Sequence, residues 1–248
     1  GMAVALADKL ETLAGIWGIG AQPSGDRDPF ALRRHALGVV RMLIERPLAS
    51  GTPTPALSAL IAAAFEAFAH VPAVTAAPAA LHEFVTDRLR GWLRERGYPI
   101  ADIDAVLAID ADQLDRILPR LDAIAQFRAL PQAASLAAAN KRIGNILRKA
   151  DAGDALAEAR EDLLAEEAER SLFKAIATTT PVVEARLGAL DYAGALGTLA
   201  LLREPVDAFF DAVMVNADEA ALRRNRLALL GGLHRLMNRV ADLSKLAA

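Results

Sequence analysis

Apolar residues in this chain recur at three- and four-residue spacing, and no two-residue alternation persists. That pattern gives a helix one buried stripe and gives a strand no consistent inner face. Composition points the same way. Alanine, leucine and arginine are abundant, whereas aromatics make up only 5% of the residues, a balance that favours helix over sheet. An all-α protein is expected. Its 248 residues, 54% of them hydrophobic, suffice for more than one domain and a sizeable core.

Several function classes fall away at once. The chain has no cysteine, so disulfides, thiolate metal sites and cysteine nucleophiles are excluded. Its four histidines (His35, His70, His82, His234) are too few and too scattered to suggest a histidine-rich metal site. The net charge of −3 and pI near 5.9 do not describe a globally basic nucleic-acid binder. Any such site must be a local patch, because attraction to phosphate is screened within roughly 8–10 Å. The longest charge-free run, Pro47 to Phe65, is broken by Pro47, Gly51, Pro53 and Pro55 and does not read as a membrane span. Gly1 before Met2 reads as a cloning remnant, and no signal peptide opens the sequence. A cytoplasmic location is expected.

The spacing predicts a helix from Val4 to Trp17 that stops at Gly18 and Gly20. Asp28 caps the next, with Pro29 at its first position, and that helix ends before Pro47. Residues 47–56 read as a linker. An alanine-rich helix follows to His70, and the break at 71–78 places a domain boundary between 71 and 80. Helices are then expected at Leu81–Arg96, closed by Gly97, and at Ile100–Leu107, Asp112–Ala129 and Gln132–Ala150. Others follow at 156–179, 182–190 and 192–203, one begun by Pro205, and a last at 218–240. The expected domains are 2–75, 76–150 and 151–248.

Charge is unevenly distributed. Lys141, Arg142, Arg148 and Lys149 share a broad helical face with Asn145, and no acid interrupts them. Residues 151–169 then carry eight acids and one base, a run that reads as a solvated face. The basic face either meets a polyanion or pairs with that acidic run. On the last helix Leu222, Leu229, Leu230, Leu233, Leu236, Met237 and Val240 fall on one arc. Arg223, Arg224, Arg235, Arg239 and Lys245 fall roughly opposite, which predicts a basic outer face. Arg226 projects onto the apolar arc and needs a buried partner, for which Asp207 or Asp211 are candidates. The loop GIGAQPSGDRDPFALRR carries glycines at 18, 20 and 25 and cations at Arg27, Arg33 and Arg34. It reads as a rigid turn, as a phosphate-contacting loop, or as a nucleotide site, although the spacing matches neither nucleotide-binding fingerprint. The acid-rich string ADIDAVLAIDADQLDR lacks the glycine and terminal glutamate of a calcium loop. Phe209 and Phe210 read as core, with the alternative that one of them lies beside a stacked nucleic-acid base.

Three stretches carry a resemblance: ADKLETLAGIWGIGAQPSGDRDPFALRRHALGVVRMLIE (Ala7–Glu45), FVTDRLRGWLRERGYPIADIDAVLA (Phe84–Ala108) and EPVDAFFDAVMVNADEAALRRNRLALL (Glu204–Leu230). With KRIGNIL (141–147) and VADLSKL (240–246), they resemble the β subunit of bacterial two-subunit glycyl-tRNA synthetases, in the family's order. The resemblance implies an HD-like helical remnant, a middle helical region and a C-terminal helical anticodon-binding bundle similar to that of arginyl-tRNA synthetase. It implies a fragment that ends at the native C-terminus. It also implies glycine-specific tRNA and the α subunit as partners, and neither DNA nor a membrane. ATP and Mg would serve the parent ligase, whose α subunit holds the catalytic site. The fragment itself would carry no cofactor and would not aminoacylate alone.

Under that resemblance Lys141, Arg142, Asn145, Arg148, Arg223, Arg224, Arg235, Arg239 and Lys245 become candidate tRNA contacts. Arg27, Arg33 and Arg34 become candidate backbone contacts. The string ALADKLETL is similar to the last metal-ligand helix of HD phosphohydrolases, which makes Asp8 a remnant ligand with no partners in this chain. A phosphohydrolase remnant and a pure protein-interaction module are the two rival readings.

Overall fold

A computed structural model describes residues 1–45, 54–150 and 158–247. Most of the expected linker and the first part of the acidic run lie outside the described residues. Among the described residues the architecture is all-α, with one isolated bridge between Ser24 and Arg27. The chain divides into two compact units, Gly1–Ile103 with Asp110–Leu118, and Asp104–Ile109 with Pro119–Ala248. No helix among the described residues is long and apolar enough to cross a membrane.

The first unit packs α1 (Met2–Gly18), α2 (Leu32–Glu45), α3 (Leu57–Glu66) and α4 (Pro78–Glu95) around one core. Leu13, Val39, Leu43, Ile61, Leu89 and Leu93 are buried there, and Trp17 meets Phe84 at 4.9 Å between ring centroids. The expected boundary at 71–80 falls inside this unit. α4 packs on α2 and α3, and the Thr75 amide donates to the Gly18 carbonyl at 2.9 Å, so the segment is a tied-down connection. Gly97 ends α4 as expected, at φ 87°. The Tyr98 amide bonds back to the Leu93 carbonyl and the Gly97 amide to Arg94, a closure that needs a left-handed residue.

Asp112 holds the start of α3 from 54 residues away. Its carboxylate accepts from the Ser58 amide and hydroxyl, both at 2.6 Å, and lies 3.3 Å from His82 Nε2. This changes the start of the helix expected at 112. Asp110 first turns the chain by accepting the amides of Asp112 and Gln113, and a 3-10 turn at Leu114–Arg116 precedes the helix.

The α5 helix (Ile100–Leu107) matches its expected span and carries the chain into the second unit. That unit contains most of α6 (Ile117–Arg128), then α7 (Ala133–Lys149), α8 (Glu167–Gly188), α9 (Tyr192–Ala200), α10 (Arg203–Ala212), α11 (Ala220–Met237) and a 3-10 turn at Leu243–Leu246. The two helices expected at 156–179 and 182–190 are one. Pro181 sits inside α8 without ending it. The hydroxyls of Thr178 and Thr180 bond carbonyls one turn back, and buried Leu172 and Val183 hold the two halves against the rest of the unit. α8 also starts later than expected, at Glu167. Its capping box is made by Glu166 and Glu169, each carboxylate accepting backbone N–H at the other's end of the turn.

Candidate nucleic-acid interface

Four cations, Lys141, Arg142, Arg148 and Lys149, cluster on α7. Lys141, Arg142, Asn145 and Lys149 line a groove of about 350 Å³ with Ala138, Ile146 and Ala247. All four polar side chains are exposed, and among the described residues no acid lines the groove. Arg148 donates to Asn145 Oδ1. Among the described residues no carboxylate pairs with Lys141, Arg142, Arg148 or Lys149, so the acidic residues at 158–169 do not neutralise this face. The Arg142 guanidinium instead lies over the Phe210 ring, 4.1 Å from its centroid.

The groove is held from behind by a polar lattice. Asn140 on α7 and Asn238 beyond α11 exchange amide hydrogen bonds at 2.8 and 3.3 Å. Asn238 Oδ1 also accepts the Leu243 amide at 2.9 Å, which seats the turn that brings Ala247 to the groove wall. Ser135 donates to Asp207 at 3.2 Å, joining α10 to α7 beside Phe210. His234 on α11 lies so close to α7 that a Cβ added to Gly144 would sit 3.3 Å from its Nε2.

α11 departs from the amphipathic helix expected there. Residues 225–230 are buried on every side, because α7, α8 and the turn at Glu161–Leu163 all pack against it. A continuous basic outer face therefore does not form. Arg223 donates to the Ala217 carbonyl and Arg224 to that of Ala220, while Arg239 pairs with Glu184 at 2.8 Å. Arg235 and Lys245 are exposed at the far end.

Arg226 is buried and paired, as its position on the apolar arc requires, but its partner is Glu169 on α8. Asp207 is engaged with Ser135 and Arg203, and Asp211 is exposed. Glu169, expected among solvated acids, has no exposed side-chain surface. Burial raises its pKa, but the Arg226 guanidinium and the amides of Glu166 and Ala165 outweigh burial and hold it below the ordinary carboxylate range. Beside it, buried Asn225 exchanges two hydrogen bonds with the Arg160 backbone, at 2.7 and 2.9 Å.

The loop before α2 satisfies itself. Arg33 donates to the Gly25 carbonyl at 2.6 Å, and Ser24 and Arg27 exchange backbone hydrogen bonds. Asp28 does cap α2, but the helix begins at Leu32, three residues after the expected Pro29. A turn through Ala31, at φ 55°, swings the chain so that the Asp28 carboxylate accepts the Leu32 and Arg33 amides at 2.7 and 3.0 Å. Those amides are therefore occupied, leaving Arg27 and Arg34 as the loop's exposed cations. Asp8 is exposed on α1, and among the described residues no cluster of three or more His, Asp or Glu could hold a metal.

Comparison with known proteins places these features. The family described as "Glycyl-tRNA synthetase beta subunit" matches residues 1–108, and the "DALR anticodon binding domain" matches residues 136–246. The whole chain aligns with the glycine–tRNA ligase beta subunit of Ralstonia nicotianae at 55% identity, covering 35% of that relative. It aligns with those of Thiobacillus denitrificans at 54% and Methylobacillus flagellatus at 52%, covering 34% of each. The chain belongs to the glycyl-tRNA synthetase beta subunit family. It spans about a third of the length of the curated relatives it matches. Within this chain the α7 residues of the groove and the buried Arg226 fall in the segment matched to the anticodon binding domain, whereas Asp8 and the α2 loop fall in the other. The Arg142–Phe210 contact in that segment has no signature in sequence spacing, since the two residues stand on different helices.

Proposed function

We propose that this chain is a tRNA-holding part of a glycine–tRNA ligase β subunit, and that the α7 groove is its principal contact with the anticodon region. The observation that carries this reading is a groove of exposed cations, unpaired with any carboxylate among the described residues and borne on a helix inside the segment matched to an anticodon binding domain, in a chain whose net charge is −3. Arg and Lys there would hold phosphates, which position the RNA, while Asn145 and neighbouring side chains meet exposed bases. Arg235 and Lys245, and on the first unit Arg27 and Arg34, are further phosphate contacts under this reading. Glycylation, with its ATP and Mg, is assigned to the assembled ligase with its α subunit in the cytoplasm, and these residues serve positioning.

The test is binding of the 248-residue protein to glycine tRNA and to an anticodon-altered control across a salt series. Tighter binding to the native tRNA, weakening with salt, is expected. Lys141→Glu and Lys149→Glu should each weaken binding and reduce the salt slope by about 1. Equal binding to both RNAs, untouched by either charge reversal, would overturn the reading.

A further inference from the structure

We propose that Arg142, backed by Phe210, is a stacking platform for one unpaired base, and that the groove beside it selects a base presenting a carbonyl oxygen. The proposal rests on the tRNA-binding reading and names what one part of that site takes.

The geometry begins beneath the arginine. Phe209 is fully buried, and Phe210 stands edge-on against it, with centroids 5.6 Å apart and planes at 80°. The half-buried Phe210 ring is thus anchored to the core through its neighbour, on a helix tied to α7 by the Ser135–Asp207 hydrogen bond. Arg142 lies on that ring at 4.1 Å. An arginine held over an aromatic face, not at a carboxylate, is fixed in position while its charge stays available.

Arg142 is exposed and lines the groove while its guanidinium lies over Phe210, so the same side chain is held by the ring and within reach of whatever enters. A planar, weakly hydrated cation of this kind stacks on a nucleobase, and splayed bases in single-stranded RNA are held on such planes. Ala138, Ile146 and Ala247 supply apolar wall for the base, and Lys141 and Lys149 supply charge for its phosphate.

Among the described side chains the groove's hydrogen-bonding character is one-sided. Asn145 Oδ1 accepts from Arg148, so what this side chain has left to offer a ligand is its amide N–H donors. Lysine and arginine also only donate. Donors of this kind match the exocyclic carbonyl oxygens that cytosine, uracil and guanine carry and adenine lacks.

The probe is an anticodon stem-loop RNA of glycine tRNA, with derivatives in which each loop nucleotide in turn is abasic. Wild type, Arg142→Lys and Lys149→Ala are compared, with melting curves to confirm that each is folded. One loop position is expected at which base removal weakens wild-type binding by about tenfold and leaves Arg142→Lys unaffected. Adenine placed there should keep the stacking and bind between the carbonyl-bearing base and the abasic loop. Arg142→Lys should bind the intact loop about tenfold more weakly with an unchanged salt slope, and Lys149→Ala should lower the slope while keeping the abasic penalty. If Arg142→Lys binds like wild type, or loses equally at every abasic loop, Arg142 is a phosphate cation only and the stacking proposal fails while the tRNA reading stands. If wild type shows no salt-dependent binding to the intact loop, both fall.

Discussion

The guanidinium of Arg226 closes on the carboxylate of Glu169 at 2.7 Å, with neither side chain more than 6% exposed. A third bond, from Arg226 Nη1 to the Met214 carbonyl at 2.8 Å, ties the loop between α10 and α11 to the same pair. Two charges withdrawn from water are tolerable only while they satisfy one another, and removing one strands the other. Arg226→Ala should therefore cost about 3–5 kcal/mol. Arg226→Leu should cost less, since it refills the space. Arg226→Leu combined with Glu169→Leu should be less destabilised than Arg226→Ala, because no buried charge remains. Urea unfolding measures all three, and an alanine variant more stable than the single leucine variant would remove the basis of this account.

The same pair sets a dependence on acid. Glu169 has a folded pKa below its unfolded value, so its contribution to stability is fully present above the unfolded value, near 4.5. That contribution is lost as pH falls through the lower, folded value. Asp112 behaves alike in the first unit. Burial opposes its ionisation, but the Ser58 hydroxyl and amide and His82 outweigh burial and lower its pKa below 3.8. Glu169→Gln should be less stable than wild type at pH 7 and should lose less on going from pH 5 to pH 3. Parallel losses in the two proteins would mean that other carboxylates govern acid unfolding.

Much of this fold was legible because local rules and tertiary packing agree. Ile100–Leu107 was readable residue for residue, and Gly97 marked the end of α4 because a left-handed position tolerates few other residues. The misreadings occur where a distant partner overrides a local signal. Pro181 looks like a break until the packing around α8 is known. Glu169 looks like one solvated acid among eight until Arg226, 57 residues later, takes it into the core. The α7 cations were readable as a group from their spacing, but Phe210 beneath Arg142 was not, since no periodicity links α7 to α10. The burial of residues 225–230 on α11 brings Asn225 onto the Arg160 backbone, a contact without a sequence pattern.

Exposed pairs provide a contrast. Arg239 and Glu184 meet at 2.8 Å, but both are nearly half exposed. Solvent screening leaves such a pair with little net worth. Arg239→Ala should change stability by no more than about 0.5 kcal/mol, within the range for surface substitutions. Any larger change in RNA affinity in this variant would then report a contact with RNA. A loss of stability comparable to that of Arg226→Ala would show that the Arg239 side chain packs as well as pairs.

His234 gives the second unit a separate response nearer neutrality. Burial between α11 and α7 disfavours its charged form, Asp242 opposes that effect and Arg235 adds to it, and the net result is a pKa below 6.5. The unfolded chain therefore takes up a proton at higher pH than the folded one. Stability contributed by neutral His234 is complete above 6.5 and declines as pH falls from there toward the folded value. The informative quantity is the difference from a variant that lacks this imidazole. Urea midpoints of wild type and His234→Gln should be compared at pH 8, 7, 6 and 5. The wild type should lose more than the variant between pH 7 and pH 5, with the two profiles parallel above pH 7. Gly144→Ala should sharpen the contrast, because its Cβ would press on the imidazole at 3.3 Å and leave a protonated ring less room for water. Identical slopes for wild type and His234→Gln would show that the ring is solvated in solution and that the seam between α7 and α11 is looser than this packing requires.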